Sequence, residues 1–574
     1  MTDPGLLALY EQARQWAASD PDPVTAGQLS AWVNSSNEQA MRSCFAPPME
    51  FGTAGLRGVV GPGAARMNLA VIRLVSRALA DEAQEAQGPG CKVVIGCDAR
   101  LDSERFAREA AGVIAAAGCE VSSFEFPVAT PIVAFEALRQ RAGAGVVVTA
   151  SHNPPEYNGY KVYGGNAIQI VPPVDLQIAA RMKRLSPAKS IPVERFEGGA
   201  AALPRRLGAE SLELYRESVL QSRPRHTPFP LRIAYTPLHG VGWRHARDLW
   251  QAAGYGEILP VPSQVMPDGR FPTVNFPNPE EPGTLKLGME YAAEIQAHVL
   301  IANDPDADRL ALALPDDSGV WRALSGNQLG ILLTDYLLGC RTGRSTQPLA
   351  VSTVVSTPMF DAVATARNAR IERTLTGFKW LWTAALELLK DESLQFGIAW
   401  EEALGYSTHT AVRDKDGIAA GLIAADWAAD CLASGELPHN RLGRLYREHG
   451  AWASRQVNII KTGLQGARDL RLAFERLGSA PPRSILGLWV TDVEDYRVGA
   501  EQRPYWRGLA DLIILHLSDG SRVLARPSGT EPKLKLYLDV PGEVTARESP
   551  FRALERAESR ADAMGQWLLE WLER

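Results

Sequence analysis

From Lys92 onward, short apolar runs alternate along the chain with stretches whose apolar positions recur at helical spacing. Lys92–Cys97, Cys119–Phe126 and Gly145–Ala150 are too short for helices and rich in Val and small residues, which reads as buried strands. Between them, one segment opens at Asp102-Ser103, a candidate cap, and runs to Gly118, and another follows Pro131; both read as helices. This order predicts βαβ construction and a mostly parallel sheet. The pattern returns at Leu231–Thr236, with helices around Trp243–Ala253 and Leu285–Ile295 and a strand at His298–Ala302. It returns again at Leu349–Thr353, with helices near Met359–Arg367 and Trp380–Leu389 and a strand at Phe396–Trp400. The chain before the first unit, to about Val33, reads as helical. From about Ala453 strand-like Gln456–Ile460, Gly487–Thr491, Asp511–Leu517 and Leu534–Leu538 mix with helices, which predicts a small α+β domain.

Pro/Gly-rich or polar segments near 196–208 and 315–326 punctuate the pattern, so four domains are expected, at 1–205, 206–325, 326–452 and 453–574. A chain of 574 residues is long enough for about that number. At 45% hydrophobic and 22% charged residues it has the composition of a globular protein. The net charge of −6 argues against a nucleic-acid surface, so an anionic substrate must be drawn by local basic groups. No apolar run reaches the roughly 20 residues that cross a bilayer, and the N-terminus lacks the segments of a signal peptide. Six cysteines with no CxxC give neither a disulfide scaffold nor a zinc site. The expectation is a cytoplasmic enzyme without nucleic-acid or membrane partners.

Candidate chemistry collects just beyond strand ends, where open parallel sheets bind ligands. After the first unit's last strand stands Thr149-Ala-Ser-His-Asn-Pro-Pro-Glu-Tyr-Asn-Gly-Tyr-Lys161, whose prolines forbid helix and strand at once and present Ser151 on a rigid loop beside His152, with Lys161 soon after. Beyond His298–Ala302 comes Asn303-Asp-Pro-Asp-Ala-Asp-Arg309. Its carboxylates at 304, 306 and 308 can face one point and hold a hard cation, magnesium before calcium, because an EF-hand's central Gly and twelfth-position Glu are missing. The third unit supplies Gly377-Phe-Lys379-Trp and Trp400-Glu401-Glu402-Ala-Leu-Gly-Tyr-Ser407, whose adjacent carboxylates could bind vicinal hydroxyls, or form an ordinary acidic turn. Arg526-Pro-Ser528-Gly529-Thr530 combines a planar fork, two hydroxyls and a backbone free to approach an anion, a composition suited to phosphate, though a plain Pro-Gly turn reads the same way. Arg57 lies in the glycine-rich stretch 51–58, which reads as a loop offering positive charge or as structure alone.

Taken together and in order, these segments resemble the α-D-phosphohexomutase superfamily, the phosphoglucomutases and phosphomannomutases, over nearly the whole chain. Residues 149–161 are similar to the family's phosphoserine loop, 304–309 to its magnesium loop, the Glu401–Glu402 segment to its sugar-recognition loop and 526–530 to its phosphate-binding loop. Thr236-Pro-Leu-His-Gly-Val-Gly242 and Pro267-Asp-Gly-Arg-Phe-Pro272 are also family-like. The sugar loop departs from the common Gly-Glu-x-Ser: Trp400 replaces the Gly and Ala403 the Ser, with Gly405 where a His often falls. In this it looks like the phosphoglucomutase-2-type branch, which also handles phosphopentoses.

The resemblance implies three similar α/β domains and a C-terminal α+β domain in a heart-shaped, four-domain enzyme, a monomer or small homo-oligomer, acting on small phosphorylated sugars. Ser151 would carry phosphate and, with Asp304, Asp306 and Asp308, surround Mg²⁺. Arg526, Ser528, Gly529 and Thr530 would hold the sugar's own phosphate, and Arg309, Lys379 and Glu401 would contact substrate. Lys161 or His152 would move the hydroxyl proton, and Arg57 would balance the phosphoserine's charge. Glucose 1-phosphate and glucose 6-phosphate would interconvert through glucose 1,6-bisphosphate, which also serves as activator, with a closing last domain. Mannose and pentose phosphates are the alternative substrates; a sugar phosphatase and a catalytically silent paralogue are the alternative functions.

Overall fold

The computed structural model describes residues 4–45, 47–52, 55–185, 187–195, 205–341, 345–461, 463–527 and 533–573. The chain forms two compact units. The first comprises 1–223, 230–312 and 409–422, the second 224–229, 313–408 and 423–574.

The first unit opens with three helices, Pro4–Ser19, Pro23–Asn34 and Glu38–Phe45, the third lying beyond the stretch to about Val33 that the hydrophobic pattern marks as helical. Asp22 caps the second by accepting the Val24 amide, and a proline follows at its first position, the pairing that favours an abrupt start. The three share a core of Leu9, Ala13, Leu29, Met41 and Phe45.

Behind them lies a six-stranded sheet in the order Leu56–Val59, Tyr157–Tyr163, Ala144–Val148, Lys92–Cys97, Glu120–Phe124, Arg205–Leu207. The last four are parallel, as the alternation of elements predicts. Ala144–Val148 is buried at every position, because a central parallel strand is covered on both faces. Tyr157–Tyr163 runs antiparallel to its neighbours, in the register Val147↔Lys161 and Leu56↔Tyr160. Two sequence-based expectations are corrected here. Arg57 sits on a strand, because Leu56–Val59 pairs with Tyr157–Tyr163 and Gly58 is taken into the sheet. Asp102 makes no side-chain cap to the helix Ser103–Ala116; its carboxylate takes Arg105 instead. A second sheet core places Arg232–Thr236 between Glu257–Pro260 and Val299–Ala302, all parallel.

In the second unit Gln347–Thr353 runs parallel between Arg370–Thr374 and Leu394–Glu401, with Gly405–Ser407 antiparallel at the edge. The C-terminal sheet is antiparallel throughout its described ladders, with Lys533–Gly542 between Ala451–Ile460 and Arg522–Pro527 and the helices Gly463–Ser479 and Pro550–Glu573 beside it in sequence. The α/β class with a C-terminal α+β part is the fold observed.

His245, on the helix Gly242–Ala252, gives a pH prediction. Burial, reinforced by Arg244, holds its imidazole down to about 4. A folded-state pKa below the unfolded one means the unfolded chain binds the extra proton. His245 therefore costs nothing above about pH 6.5 and removes up to about 3 kcal/mol as pH falls to about 4. Urea unfolding of wild type and His245→Leu between pH 7 and 4 measures this. Wild-type stability should fall more steeply, and equal slopes would refute the assignment.

Candidate active site

Ser151 follows the strand Ala144–Val148, which ends two residues earlier than its composition predicts. Thr149 ends it: its hydroxyl accepts the Ser151 amide at 2.8 Å and donates to Asp98 at 2.6 Å. Ser151 then turns to φ 52°, a left-handed conformation that non-glycine residues adopt at a cost and that clusters at functional sites. The serine is not on open display: it is only 1% exposed, because the 303–309 loop faces it. Its Oγ donates to Asp304 Oδ2 at 2.7 Å and stands 3.1 Å from His152 Nδ1.

The aspartate loop leaves the strand Val299–Ala302 and is folded back on itself. Asn303 donates to the Arg309 carbonyl at 2.6 Å, the Arg309 amide donates to Asp304 Oδ1 at 3.0 Å, and Ala307 takes a left-handed φ of 57°. All three carboxylates are buried, with one oxygen of each lying within 4.8 Å of the others. Lys161 Nζ donates to Asp306 Oδ2 and Asp308 Oδ2, both at 2.6 Å, and Thr130 Oγ1 donates to Asp306 Oδ2 at 2.6 Å. Lys415 Nζ lies 3.5 Å from Asp308 Oδ2.

These contacts divide the three acids electrically. Burial, with the Asp306 and Asp308 charges, pushes Asp304 well above the ordinary carboxylate range. Burial pushes Asp308 upward too, but Lys161, Lys415 and Arg309 outweigh it and hold the group below that range. Asp306 is likewise raised by burial and Asp308, and brought back below by Lys161 and Thr130. His152 is driven well below its usual value by burial and by Arg309 and Arg57, so its imidazole is neutral.

Whether this cluster fits a cation is answered by its unused oxygens. Asp306 Oδ1 and Asp308 Oδ1 are buried without a hydrogen-bond partner among the described residues. Such orphaned anionic atoms are costly, and a hard, oxygen-preferring divalent ion would satisfy them. Asp304, Asp306 and Asp308 fit that role.

The loop is also braced from Thr236–Gly242. The Val241 amide donates to the Pro305 carbonyl at 2.9 Å, and a Cβ on Gly240 would fall 2.3 Å from Pro305 Cα and O. Gly240→Ala should therefore cost about 1–3 kcal/mol, as overpacking does, and shrink the stabilisation that added Mg²⁺ confers. Thermal unfolding with and without Mg²⁺ measures both, and wild-type values in both would show that the contact is unimportant.

The structure thus brings Ser151, His152, Lys161, the three aspartates and Arg309 together in the first unit. Arg57 lies near enough to perturb His152, and Arg309 also pairs with Glu280 at 2.8 Å. The second unit holds Lys379, Glu401 and Arg526. Lys379 lies in the first turn of Phe378–Leu388, with its Nζ 5.9 Å from the Trp380 ring centre. Glu401 is buried at the end of its strand. Glu402 is already engaged, accepting from Thr353 and Ser356 hydroxyls at 3.0 and 3.2 Å. Arg526 lies on Arg522–Pro527, while Ser528, Gly529 and Thr530 fall outside the described residues.

The sequence reading misses Asp98, Arg100, Thr130 and Lys415. Asp98 and Arg100 stand directly beyond the strand Lys92–Cys97, the same kind of position that singles out Ser151. Lys415 carries no local signal: it reaches the site because 409–422 folds into the first unit.

Comparison with known proteins agrees with this geometry. Residues 48–189, 213–318 and 325–447 match, in order, α/β/α domains I, II and III of phosphoglucomutase/phosphomannomutase. A probable phosphomannomutase of Haemophilus influenzae is 38% identical over 79% of this chain and 88% of its own length. The phosphopentomutase of Homo sapiens is 31% identical over 93% of this chain and 91% of its own. Among solved structures, parafusin (phosphoglucomutase) from Paramecium, in its open form, superposes with a TM-score of 0.66 at 16% identity, covering 90% of this chain and 95% of its own. Fold, site and relatives define a phosphosugar mutase, an isomerase of the phosphotransferase type. The chain belongs to the α-D-phosphohexomutase superfamily, in its phosphoglucomutase/phosphomannomutase family.

Proposed function

We propose that the enzyme interconverts glucose 1-phosphate and glucose 6-phosphate through a phosphate carried on Ser151, with glucose 1,6-bisphosphate as intermediate. The observation that carries this reading is the Ser151 hydroxyl 2.7 Å from a buried aspartate trio that has two unused carboxylate oxygens. Bound at Asp304, Asp306 and Asp308, Mg²⁺ would supply neutralising charge to a phosphoryl group on Ser151 in a loose transition state.

The protein's own groups do the rest. The site excludes water, since Ser151 and the aspartates are all at most 1% exposed, which limits hydrolysis of the phosphoserine. Lys161 already sits as a charged donor against Asp306 and Asp308, and His152 offers a neutral ring nitrogen 3.1 Å from Oγ. These two are the groups positioned to give and take the sugar hydroxyl's proton. Arg57 and Arg309 balance the nearly doubly negative phosphoserine. Arg526, Ser528, Gly529 and Thr530 bind the sugar's existing phosphate, and Lys379 and Glu401 contact the sugar. The 1,6-bisphosphate must then turn end for end so that its other phosphate returns to Ser151.

A second substrate reading rests on a specific observation: the human relative matched over 93% of this chain is a phosphopentomutase. Purified protein with Mg²⁺ and a trace of glucose 1,6-bisphosphate should convert glucose 1-phosphate to glucose 6-phosphate. Ribose, deoxyribose, mannose and glucosamine 1-phosphates run in parallel rank the substrates. A higher kcat/KM for a pentose phosphate would replace glucose by pentose, and release of inorganic phosphate alone would make the protein a phosphatase.

A further inference from the structure

The turn Asp98–Ser103 takes no part in this chemistry, yet it braces the backbone of the Ser151 loop. Arg100 is buried there, 4% exposed. Its Nη2 donates to the carbonyls of Ser151 at 2.7 Å and Asn153 at 2.5 Å, and its Nη1 to those of Pro154 at 2.8 Å and Tyr157 at 3.1 Å. Asp98 Oδ2 lies 3.3 Å from its Nε.

The loop needs donors from outside itself. Pro154 and Pro155 have no N–H to donate within the loop, and the left-handed Ser151 leaves strand geometry, so no ladder satisfies the Ser151 and Asn153 carbonyls, while the Pro154 carbonyl also accepts the Tyr157 amide at 3.1 Å. A guanidinium presents five N–H groups in a planar fork and can serve four carbonyls at once; an ammonium has three donors and no fixed plane.

A second element fixes Arg100 in turn. The Phe271 ring centre lies 5.0 Å from the guanidinium carbon. Gly269 fits so closely beneath the turn that a Cβ there would fall 2.7 Å from Arg100 Cα and 2.9 Å from the Ala99 carbonyl. The family-like stretch Pro267–Pro272 thereby gains a physical task.

We propose that Arg100 is a positioning residue for phosphoryl transfer, holding the Ser151 peptide in the left-handed conformation that aims Oγ at Asp304, with Pro267–Pro272 holding Arg100. This rests on the reading of Ser151 as the phosphoryl carrier. Arg100 acts through backbone carbonyls, so its loss should lower kcat and leave KM for the sugar phosphate nearly unchanged.

The test uses the full-length enzyme as wild type, Arg100→Lys, Arg100→Ala and Gly269→Ala. In the two Arg100 variants kcat should fall about 100-fold, the effect of misplacing a reacting atom by about 1 Å, with a smaller fall in Gly269→Ala. Inorganic phosphate released per turnover should rise, because a misaligned phosphoserine meets water more often. Dilute guanidinium should restore part of the kcat of Arg100→Ala. A purely structural arginine would lower Tm and leave kcat per folded molecule at the wild-type level, and that result overturns the proposal. If the Arg100 variants do not fold, Gly269→Ala decides alone, and wild-type kcat there overturns it. Hydrogen exchange in peptides spanning Ser151–Tyr157 tests the positioning with no assumption about the reaction. Protection there should drop in Gly269→Ala, and unchanged protection overturns the proposal even if the wild type isomerises no sugar phosphate. Lost protection in an inactive wild type would instead leave the positioning intact and remove the mutase reading.

Discussion

Ser151→Ala is expected to abolish isomerisation while leaving the protein folded. The change removes the protein atom that carries phosphate in the proposed cycle, so the remaining contacts have nothing to act on. The loss should be on the order of 10⁶-fold in kcat, the scale seen when a covalent nucleophile is deleted. Its structural cost is modest. Asp304 Oδ2 loses the hydroxyl proton it accepts at 2.7 Å, worth about 1–3 kcal/mol for a buried acceptor. The affinity for sugar phosphate should survive, since the groups assigned to it lie elsewhere. A coupled assay for glucose 6-phosphate, with intact-mass analysis for the added phosphate, makes the measurement. Substantial turnover by folded, unphosphorylated Ser151→Ala would remove the phosphoserine from the mechanism.

Lys161→Met is expected to be the most destabilising single change in the site. Methionine fits the space, but the ammonium that bonds both Asp306 and Asp308 at 2.6 Å is gone. Deleting one partner of a buried ion pair typically costs about 3–5 kcal/mol, because the other charge is left uncompensated. Added Mg²⁺ should recover part of that loss, since the same two carboxylates have oxygens available to it. Urea denaturation with and without Mg²⁺ reads both effects. Loss of the charged donor should also lower kcat by about 10²–10⁴-fold, the range for a general acid or base. Unchanged stability in the metal-free protein would mean that Lys161 does not neutralise the aspartates.

Much of the site is legible in the sequence because its logic is local. A serine after an apolar strand, followed by two prolines, can only be a turn at a sheet's end. Three aspartates at alternate positions after another such strand repel one another unless a cation or basic groups face them. The glycine-rich stretch at 51–58 misleads for the opposite reason. The conformation of Leu56, Arg57 and Gly58 is set by pairing with Tyr157–Tyr163, about a hundred residues later in the chain, and no local rule contains that partner. The engagement of Glu402 is equally invisible along the chain, since the Thr353 and Ser356 hydroxyls that donate to it come from another strand and its following turn.

The sequence by itself determined the α/β class, the position of the serine and aspartate motifs beyond strands and the chemical type of the cluster, because these follow from hydrophobic period, proline and charge spacing. Only the tertiary structure decided how charge is distributed within it: that Lys161 faces two aspartates, that Ser151 points at the third, and that Lys415 arrives from 409–422. It also decided that Arg100 carries the serine's backbone. The physical reason is the same in each case. Burial turns a separation of a few ångströms into a large electrostatic or hydrogen-bonding effect, and separations between distant segments are fixed by packing, not by any spacing along the chain.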